Sequence, residues 1–142
     1  MTGERLRHMV HALQITFDAA DPRGLGGFWG EVLGYVEEPP PPGFTTWDEA
    51  LDAMGIDRSD ANRAYAIVDP DGVGPRVFFL KVPEHKSAKN RMHLDVHTEP
   101  DRLRARADEL VALGAQVVRE FDEPEGRWIT LLDPEGNEFC LH

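Results

Sequence analysis

The sequence predicts an α+β fold in which two βαβββ modules carry mostly antiparallel sheets with the helices outside. The first observation behind this prediction is an internal repeat, because each half runs from an apolar strand through an amphipathic helix to a turn and a closing strand. The second observation is the spacing between equivalent residues of the two halves. Gly34 and Gly114, which end the helices, lie 80 residues apart, whereas Asp69 and Asp133, which begin the turns, lie 64 apart. The first half therefore holds 16 additional residues.

The repeat also sets the predicted module boundaries. The first module is predicted over residues 1–85, with the additional residues forming an inserted helix near 38–55, and the second over residues 86–142. A chain of 142 residues suits one compact domain, so we expect the two modules to form a single domain.

The first helix is predicted to begin at Asp21-Pro22, since Asp caps helix N-termini and Pro suits the first helical position. Its apolar face follows the helical period through Leu25, Phe28, Trp29, Val32 and Leu33. Four glycines within it each cost roughly 1 kcal/mol relative to Ala. The helix must therefore be held by packing, or its glycines allow another segment to approach closely. Trp29 is assigned to the core.

Two further helices are predicted. In the insertion, the capping box of residues 46–49 begins a helix that ends at Gly55, and the prolines of 39–42 form an extended spacer before it. The apolar face of this helix consists of Trp47, Leu51 and Met54. The helix of the second module ends at Gly114 and packs through Leu103, Ala107, Leu110 and Val111.

Strands are predicted over residues 10–17, 35–37, 64–69, 76–82, 92–97, 116–121, 127–132 and 138–141. Side chains alternate between the two faces of a strand, and the apolar set marks the face that packs on the helices. That set is predicted to be Leu13, Ile15, Phe17, Met92, Leu94, Val96, Ile129, Leu131, Phe139 and Leu141. The opposite face then collects Gln14, Phe78, Leu80, His93, Asp95, Trp128, Thr130, Glu138 and Cys140. A Trp and a Cys beside a His fit a concave ligand pocket better than a flat solvated sheet.

Composition narrows the class of partner. The formal charge of −11 disfavours nucleic acid, which the acidic surface would repel. No apolar run reaches the length of a membrane span, and a signal peptide is not recognised. The single cysteine, Cys140, fits a reducing compartment, so we expect a cytoplasmic protein. One basic cluster, formed by Arg76, Lys86, Lys89 and Arg91, either attracts an anionic ligand or is a solvated linker paired with acidic neighbours.

The order of short motifs along nearly the whole chain resembles the vicinal oxygen chelate superfamily, which includes glyoxalase I, extradiol dioxygenases and bleomycin resistance proteins. The resemblance is to its glyoxalase-like branch common in actinobacteria. Each motif alone is weak, but their order is specific. The matching stretches are 18–22, Phe28-Trp29, Leu33-Gly34, 69–75, 82–84, 89–95, 113–115 and 133–138.

The resemblance implies a cup-shaped sheet whose metal ligands come from the first and last strand of each module. Carried over, those positions fall on Gln14, His93, Cys140 and Leu80. Leucine cannot bind a metal, Gln is a weak neutral ligand and Cys prefers soft metals such as zinc. Glu138 has suitable chemistry but lies two residues early. We therefore expect a degenerate site and no cofactor, with a divalent metal (Zn, Fe, Mn or Ni) bound by Gln14, His93 and Cys140 as the alternative.

Several roles stay open from the sequence. His93 is either a metal ligand or general base, since imidazoles titrate near neutral pH, or a hydrogen-bonded pocket histidine that Asp95 orients. Cys140 is either a nucleophile activated by a cation or a small buried residue. Trp47 and Trp128 either stack on a planar ligand or, for Trp47, close the core beneath the inserted helix.

Three functions follow. The first is a protein that binds a small organic molecule in the cup, as a metal-free enzyme or as a sequestering, resistance-type binder. The second is a metal-dependent lyase, isomerase or dioxygenase, in which His93 or Glu138 moves the proton. The third is an interaction module, which has the least support. A homodimer is expected as an alternative to a monomer, with the two modules paired within one chain or exchanged between chains.

Overall fold

The computed structural model describes residues 10–142, so residues 1–9 of the first predicted module lie outside it. The described chain is an α+β protein with two four-stranded sheets and no closed barrel. Within the described residues, no helix is both long and apolar enough to span a bilayer.

The first sheet contains β1 (Ile15–Ala19), β2 (Val36–Glu37), β3 (Ala64–Val68) and β4 (Val77–Lys81). Its strand order is β1-β4-β3-β2, with β1 and β4 parallel and the other pairs antiparallel. Helix α1 (Pro22–Leu33) follows β1. Asp21 caps it by accepting from the Gly24 amide, and Gly34 ends it with a φ of 70°. This start and stop are those that the Asp-Pro and Leu-Gly pairs predict.

The second sheet repeats this plan with β5 (Leu94–Val96), β6 (Gln116–Glu123), β7 (Gly126–Leu132) and β8 (Glu138–Leu141). The strand order is β5-β8-β7-β6, and β5 runs parallel to β8. A short 3₁₀ turn over Pro100–Arg102 leads into helix α3 (Leu103–Ala112). The same order of parallel and antiparallel neighbours in both sheets is the structural form of the sequence repeat.

One hydrophobic core serves both modules. Phe28 and Trp29 of α1 contact Phe139 of β8, with ring centroids 6.0 and 5.0 Å apart, and Phe17 stacks on Phe79. The same cluster includes Leu103, Ala107 and Leu110 of α3 and the buried sides of both sheets. Because the helix-covered sides of the two sheets share this core, their other sides remain open.

The inserted segment packs outside this core. Helix α2 (Trp47–Ala53) begins at Thr46, whose hydroxyl accepts from the Glu49 amide, and a 3₁₀ segment over Arg58–Arg63 leads to β3. In the second module the equivalent strands join directly through a hairpin, where Glu123 pairs with Gly126. No residue between Tyr35 and Tyr65 belongs to the shared core.

Three predictions of packing residues are wrong. Val111 of α3 is 44% exposed, although the helical period assigns it to the packed face. Leu13 is 67% exposed and Met92 is 84% exposed, whereas alternation assigns both to the helix-covered side. The strands that follow these two residues are shorter than predicted, since β1 begins at Ile15 and β5 at Leu94. Leu13 and Met92 therefore precede their strands, where period-two alternation no longer fixes the direction of a side chain.

Candidate functional site

The open face of the second sheet bears a hollow of about 330 Å³, which we call the His93 hollow. Residues from β6, β7 and β8 line it, together with the segment that leads into β5. The lining consists of Lys89, His93, Val118, Arg119, Phe121, Trp128, Thr130, Glu138 and Cys140. Alternation along β7 and β8 places Trp128, Thr130, Glu138 and Cys140 there, because Ile129, Leu131, Phe139 and Leu141 are buried in the core.

His93 and Cys140 line this hollow, and Asp95 lies beside them. One ligating atom from each lies within 4.8 Å of the other two, and Nδ1 of His93 lies 3.0 Å from Oδ1 of Asp95. The parallel register of β5 and β8 brings them together, since it pairs Asp95 with Cys140. When Nδ1 carries the proton toward Asp95, the other ring nitrogen of His93 can accept a proton or bind a metal.

Cys140 lies in surroundings that oppose ionisation. Burial raises the pKa of its thiol, and the negative charges of Asp95 and Glu138 raise it further, although the hydroxyl of Thr130 at 3.3 Å acts in the opposite direction. A reactive thiolate needs cationic neighbours. The structure therefore favours the small buried residue over the nucleophile for Cys140 in the absence of a bound cation.

Glu138 is paired with a cation. Its carboxylate accepts from Nζ of Lys89 at 2.6 Å, and this hydrogen bond lowers its pKa below the ordinary value. A carboxylate of lowered pKa is a weaker base, so this ion pair makes Glu138 a poorer proton acceptor than an unpaired glutamate.

Aromatic rings form one wall of the His93 hollow. Trp128 stacks on Phe121 with centroids 4.8 Å apart, and the guanidinium of Arg119 lies 4.6 Å from the Phe121 centroid. His142 lies 6.1 Å from Trp128 on a nearly parallel plane, and its Nε2 lies 3.7 Å from Asp95. Flat rings and a nearby cation suit contact with a planar or anionic ligand.

The first sheet has a separate hollow of about 200 Å³ beneath the inserted segment, which we call the Trp47 hollow. Apolar side chains of the insertion face sheet residues across it. They are Trp47, Leu51, Met54 and Ile56 on one side and Tyr65 and Phe78 on the other. Trp47 is half-buried and its indole donates to the Glu38 carbonyl at 2.7 Å. It lines a hollow outside the core, which favours the ligand-facing role for Trp47.

Gln14 does not join the His93 hollow. Its carbonyl oxygen accepts from Arg76, the residue before β4, at 2.9 Å, and its amide donates to Thr16 of β1. Arg76 also makes a bidentate ion pair with Glu38, in which its Nε and Nη2 donate to the two carboxylate oxygens at 2.9 and 2.7 Å. Leu80 lies on the same sheet, 42% exposed. The predicted ligand set is thus divided, because the helices join the sheets on their covered sides and leave the open sides apart.

The predicted basic cluster is also divided. Arg76 pairs with Glu38 at the Trp47 hollow, whereas Lys89 pairs with Glu138 at the His93 hollow. Lys86 donates to the carbonyl of Ala88. Two residues of the cluster therefore pair with acidic neighbours, one at each hollow.

Sequence reasoning missed several lining residues. Arg119 and Phe121 line the His93 hollow, but no side chain of the predicted strand over residues 116–121 is assigned to a face from the sequence. A register shift between Val117 and Arg119 changes the alternation there. Arg23, whose guanidinium lies 5.2 Å from the Tyr65 centroid, was missed because the helical period of α1 draws attention only to its apolar face.

The donor set of the His93 hollow fits a soft divalent metal better than a hard one. His93, Asp95 and Cys140 offer nitrogen, oxygen and sulfur, the mixture that zinc accepts. Mn²⁺ and Mg²⁺ prefer oxygen-rich sites. Sequence reasoning placed Asp95 on this face without counting it as a ligand.

Comparison with known families gives a match over nearly the whole described chain. Residues 14–142 match the family described as a glyoxalase-like domain. No protein with a curated function matches the sequence.

Solved structures show the same fold at low identity. A fosfomycin resistance protein, FosX, from Mesorhizobium loti is 17% identical, with a TM-score of 0.65 and 94% and 92% of the two chains covered. A mutant form of FosX from Listeria monocytogenes, in complex with Mn(II) and 1S,2S-dihydroxypropylphosphonic acid, is 14% identical, with a TM-score of 0.65 and coverage of 94% and 90%. A glyoxalase/bleomycin resistance protein/dioxygenase family enzyme from Burkholderia phytofirmans PsJN is also 14% identical, with a TM-score of 0.62 and coverage of 90% and 94%.

Proposed function

Since the chain belongs to the glyoxalase-like domain family of the vicinal oxygen chelate superfamily, we propose that it binds a small organic molecule in the His93 hollow. The observation that carries this proposal is the set of chemical groups on the open face of the second sheet: a His-Asp pair, a thiol and a stacked aromatic wall. Ligand sites combine apolar walls with a few polar groups in this way.

The lining also indicates the chemistry of the ligand. Trp128 and Phe121 offer flat apolar surface to a planar group, and Arg119 and Lys89 lie at the same hollow. A carbonyl or carboxylate oxygen would find hydrogen-bond donors there. We therefore propose a planar or aromatic molecule that carries such an oxygen, and no role for nucleic acid or a membrane surface. A cytoplasmic location fits the single cysteine of the chain.

A homodimer would complete this site. The His93 and Trp47 hollows share no lining residue, and both are open to solvent. We propose that a second copy places its Trp47 hollow over the His93 hollow, so that each site takes its walls from two chains. Such an arrangement is isologous, because the same two surfaces meet twice about a two-fold axis.

A panel of aromatic acids, aldehydes and ketones tests the binding proposal, with thermal stabilisation as the readout. A binding compound should raise the melting temperature of the wild type, and His93→Ala and Trp128→Phe should reduce the effect. Arg104→Ala, an exposed change on α3, should leave the effect intact. If no compound stabilises the protein, or if both hollow variants respond as the wild type does, the hollow does not bind small molecules and an interaction module is favoured.

Mixing two defective variants tests the shared site. His93→Ala removes a side chain that lines the His93 hollow, and Phe78→Ala removes one that lines the Trp47 hollow. A mixed dimer contains one site with both changes and one with neither, so a mixture should recover part of the binding that each variant alone lacks. Absence of recovery in a mixture shown to exchange subunits would place the whole site in one chain.

A metal-dependent enzyme is the second candidate function. It is favoured by one observation, the approach of His93, Asp95 and Cys140 to within 4.8 Å of one another. In a lyase, isomerase or dioxygenase the metal would polarise a substrate oxygen while Glu138, which lines the same hollow and is not one of the three ligands, moved a proton. A lyase, isomerase or dioxygenase activity that requires added metal and is lost in Asp95→Asn would favour this candidate over binding without catalysis.

A further inference from the structure

We propose that His93, Asp95 and Cys140 form a zinc-selective site in which Asp95 supplies the carboxylate. This inference deepens the second candidate function, because it names the metal and its ligands. It does not depend on the proposed binding of an organic molecule, because the metal is measured alone. It concerns the three side chains that the structure brings together and differs from the predicted set of Gln14, His93 and Cys140.

The geometry comes from two neighbouring parallel strands. Asp95 of β5 is in register with Cys140 of β8, and His93 immediately precedes β5. Their ligating atoms lie within 4.8 Å of one another. Two zinc–ligand bonds of about 2.0–2.3 Å, placed end to end, span about 4 to 4.6 Å. Small rotations of these side chains therefore suffice to place all three donors on one ion.

The donor types decide which metal is preferred. A thiolate and an imidazole bind zinc and cobalt well, whereas Mn²⁺ prefers carboxylate and other oxygen ligands. On binding, the S–H bond of Cys140 breaks, a zinc–sulfur bond forms and the proton passes to solvent. Ionised Asp95 and Cys140 together balance the two positive charges of the ion, which the neutral Gln14 of the predicted set cannot do.

Neighbouring groups support the ligands. The Thr130 hydroxyl, 3.3 Å from the sulfur of Cys140, can donate to a bound thiolate. His142 lies on the other side of Asp95, with its Nε2 3.7 Å from the second carboxylate oxygen. Three protein ligands leave a fourth position of a tetrahedral ion free, and His93 and Cys140 both line the hollow into which that position opens.

Titration of the chelator-treated full chain with Zn²⁺, Co²⁺ and Mn²⁺ tests the proposal without any organic compound. We expect one Zn²⁺ per chain, at least about 100-fold tighter binding of Zn²⁺ than of Mn²⁺, and a sulfur-to-cobalt charge-transfer band in the near ultraviolet. Cys140→Ser should abolish the band, and Asp95→Asn should weaken Zn²⁺ binding by about 10- to 100-fold. The matched control is Asp122→Asn, which alters an acid on β6 outside the hollow and should change the affinity by less than about threefold.

The proposal is wrong if Co²⁺ binds without the charge-transfer band, if Mn²⁺ binds as tightly as Zn²⁺, or if Asp95→Asn has no more effect than Asp122→Asn. The cobalt spectrum uses the unaltered chain, so it decides the matter even if Cys140→Ser fails to fold. If the expected Zn²⁺ binding is not found but a compound of the panel still stabilises the protein, only the zinc site is refuted. If Zn²⁺ binds as expected but no compound stabilises the protein, only the proposed binding of an organic molecule is refuted.

Discussion

The indole nitrogen of Trp29 donates to the carboxylate of Asp133 at 2.9 Å, across 104 residues of chain and between the two modules. Both side chains are buried. The same carboxylate also accepts from the amides of Glu135 and Asn137, so one buried group holds its own turn and the helix of the other module.

Replacing Asp133 should therefore cost more than replacing its counterpart in the repeat. Asp133→Ala leaves the Trp29 N–H without a partner and should lower the free energy of unfolding by roughly 3 kcal/mol. Asp69 holds only the amides of its own turn, through Asp71, Val73 and Gly74. Chemical denaturation of Asp133→Ala and Asp69→Ala checks this, and equal losses would show that the contact with Trp29 adds nothing.

Adjacent glycines of α1 offer a second test. A Cβ on Gly26 would lie 2.2 Å from the Tyr65 ring and 3.2 Å from Phe79, whereas one on Gly27 meets nothing within 4 Å. We expect Gly26→Ala to destabilise the protein by about 1–3 kcal/mol. Gly27→Ala should be neutral or stabilising by up to about 1 kcal/mol. Urea unfolding of both variants measures the contrast, and a stabilising Gly26→Ala would contradict it.

Part of this architecture could be predicted from sequence because it is local. The apolar face of α1 and its stop at Gly34 follow from period and chain chirality. Alternation also separated Phe139 from Cys140 correctly, since β8 lies between two strands and its register fixes both sides.

The division of the predicted site could not be predicted in the same way. Gln14 and His93 occupy equivalent places in the repeat, so convergence was a natural expectation. Their separation depends on α1 packing against β8 of the other module, a contact between residues far apart in the chain, such as Phe28 and Phe139. No local periodicity encodes such an arrangement.

The inserted segment should be dispensable for folding. It contributes nothing to the shared core, although Ala50 is buried locally. Replacing residues 39–54 with a short Gly/Ser linker should keep the melting temperature within about 5 °C of the wild type. It should also weaken ligand binding, because the Trp47 hollow loses one wall. Circular dichroism and the compound panel measure the two effects, and unfolding on replacement would assign the segment to the core after all.

Asp21 predicts how one part of stability depends on pH. The hydrogen bond from Asn62 at 2.8 Å, followed by that from the Gly24 amide, lowers the pKa of this carboxyl below its ordinary value. Because the folded pKa is lowered, the ionised group stabilises the fold above the unfolded pKa of about 4, and this stabilisation is lost as pH falls through the folded pKa.

Carboxyl NMR titration checks the cause of that shift. Asn62→Ala should raise the pKa of Asp21 toward the ordinary value and flatten the acid side of the stability profile. Thr46→Ala, which removes a helix cap at a distant N-terminus, serves as the control and should leave the Asp21 titration unchanged. If the pKa of Asp21 is unaltered in Asn62→Ala, the amides of α1 alone stabilise the ionised carboxylate.

Strand β6 has consequences for how copies of the chain can associate. It is the longest strand of the described chain and lies at the outer margin of its sheet, so its free backbone groups could template the growth of a continuous ribbon between molecules. Charged side chains at Arg119, Glu120, Asp122 and Glu123, together with the irregular register at Val118, interrupt that template. The margin is therefore protected from polymerisation, and association through the open faces remains available to the folded protein.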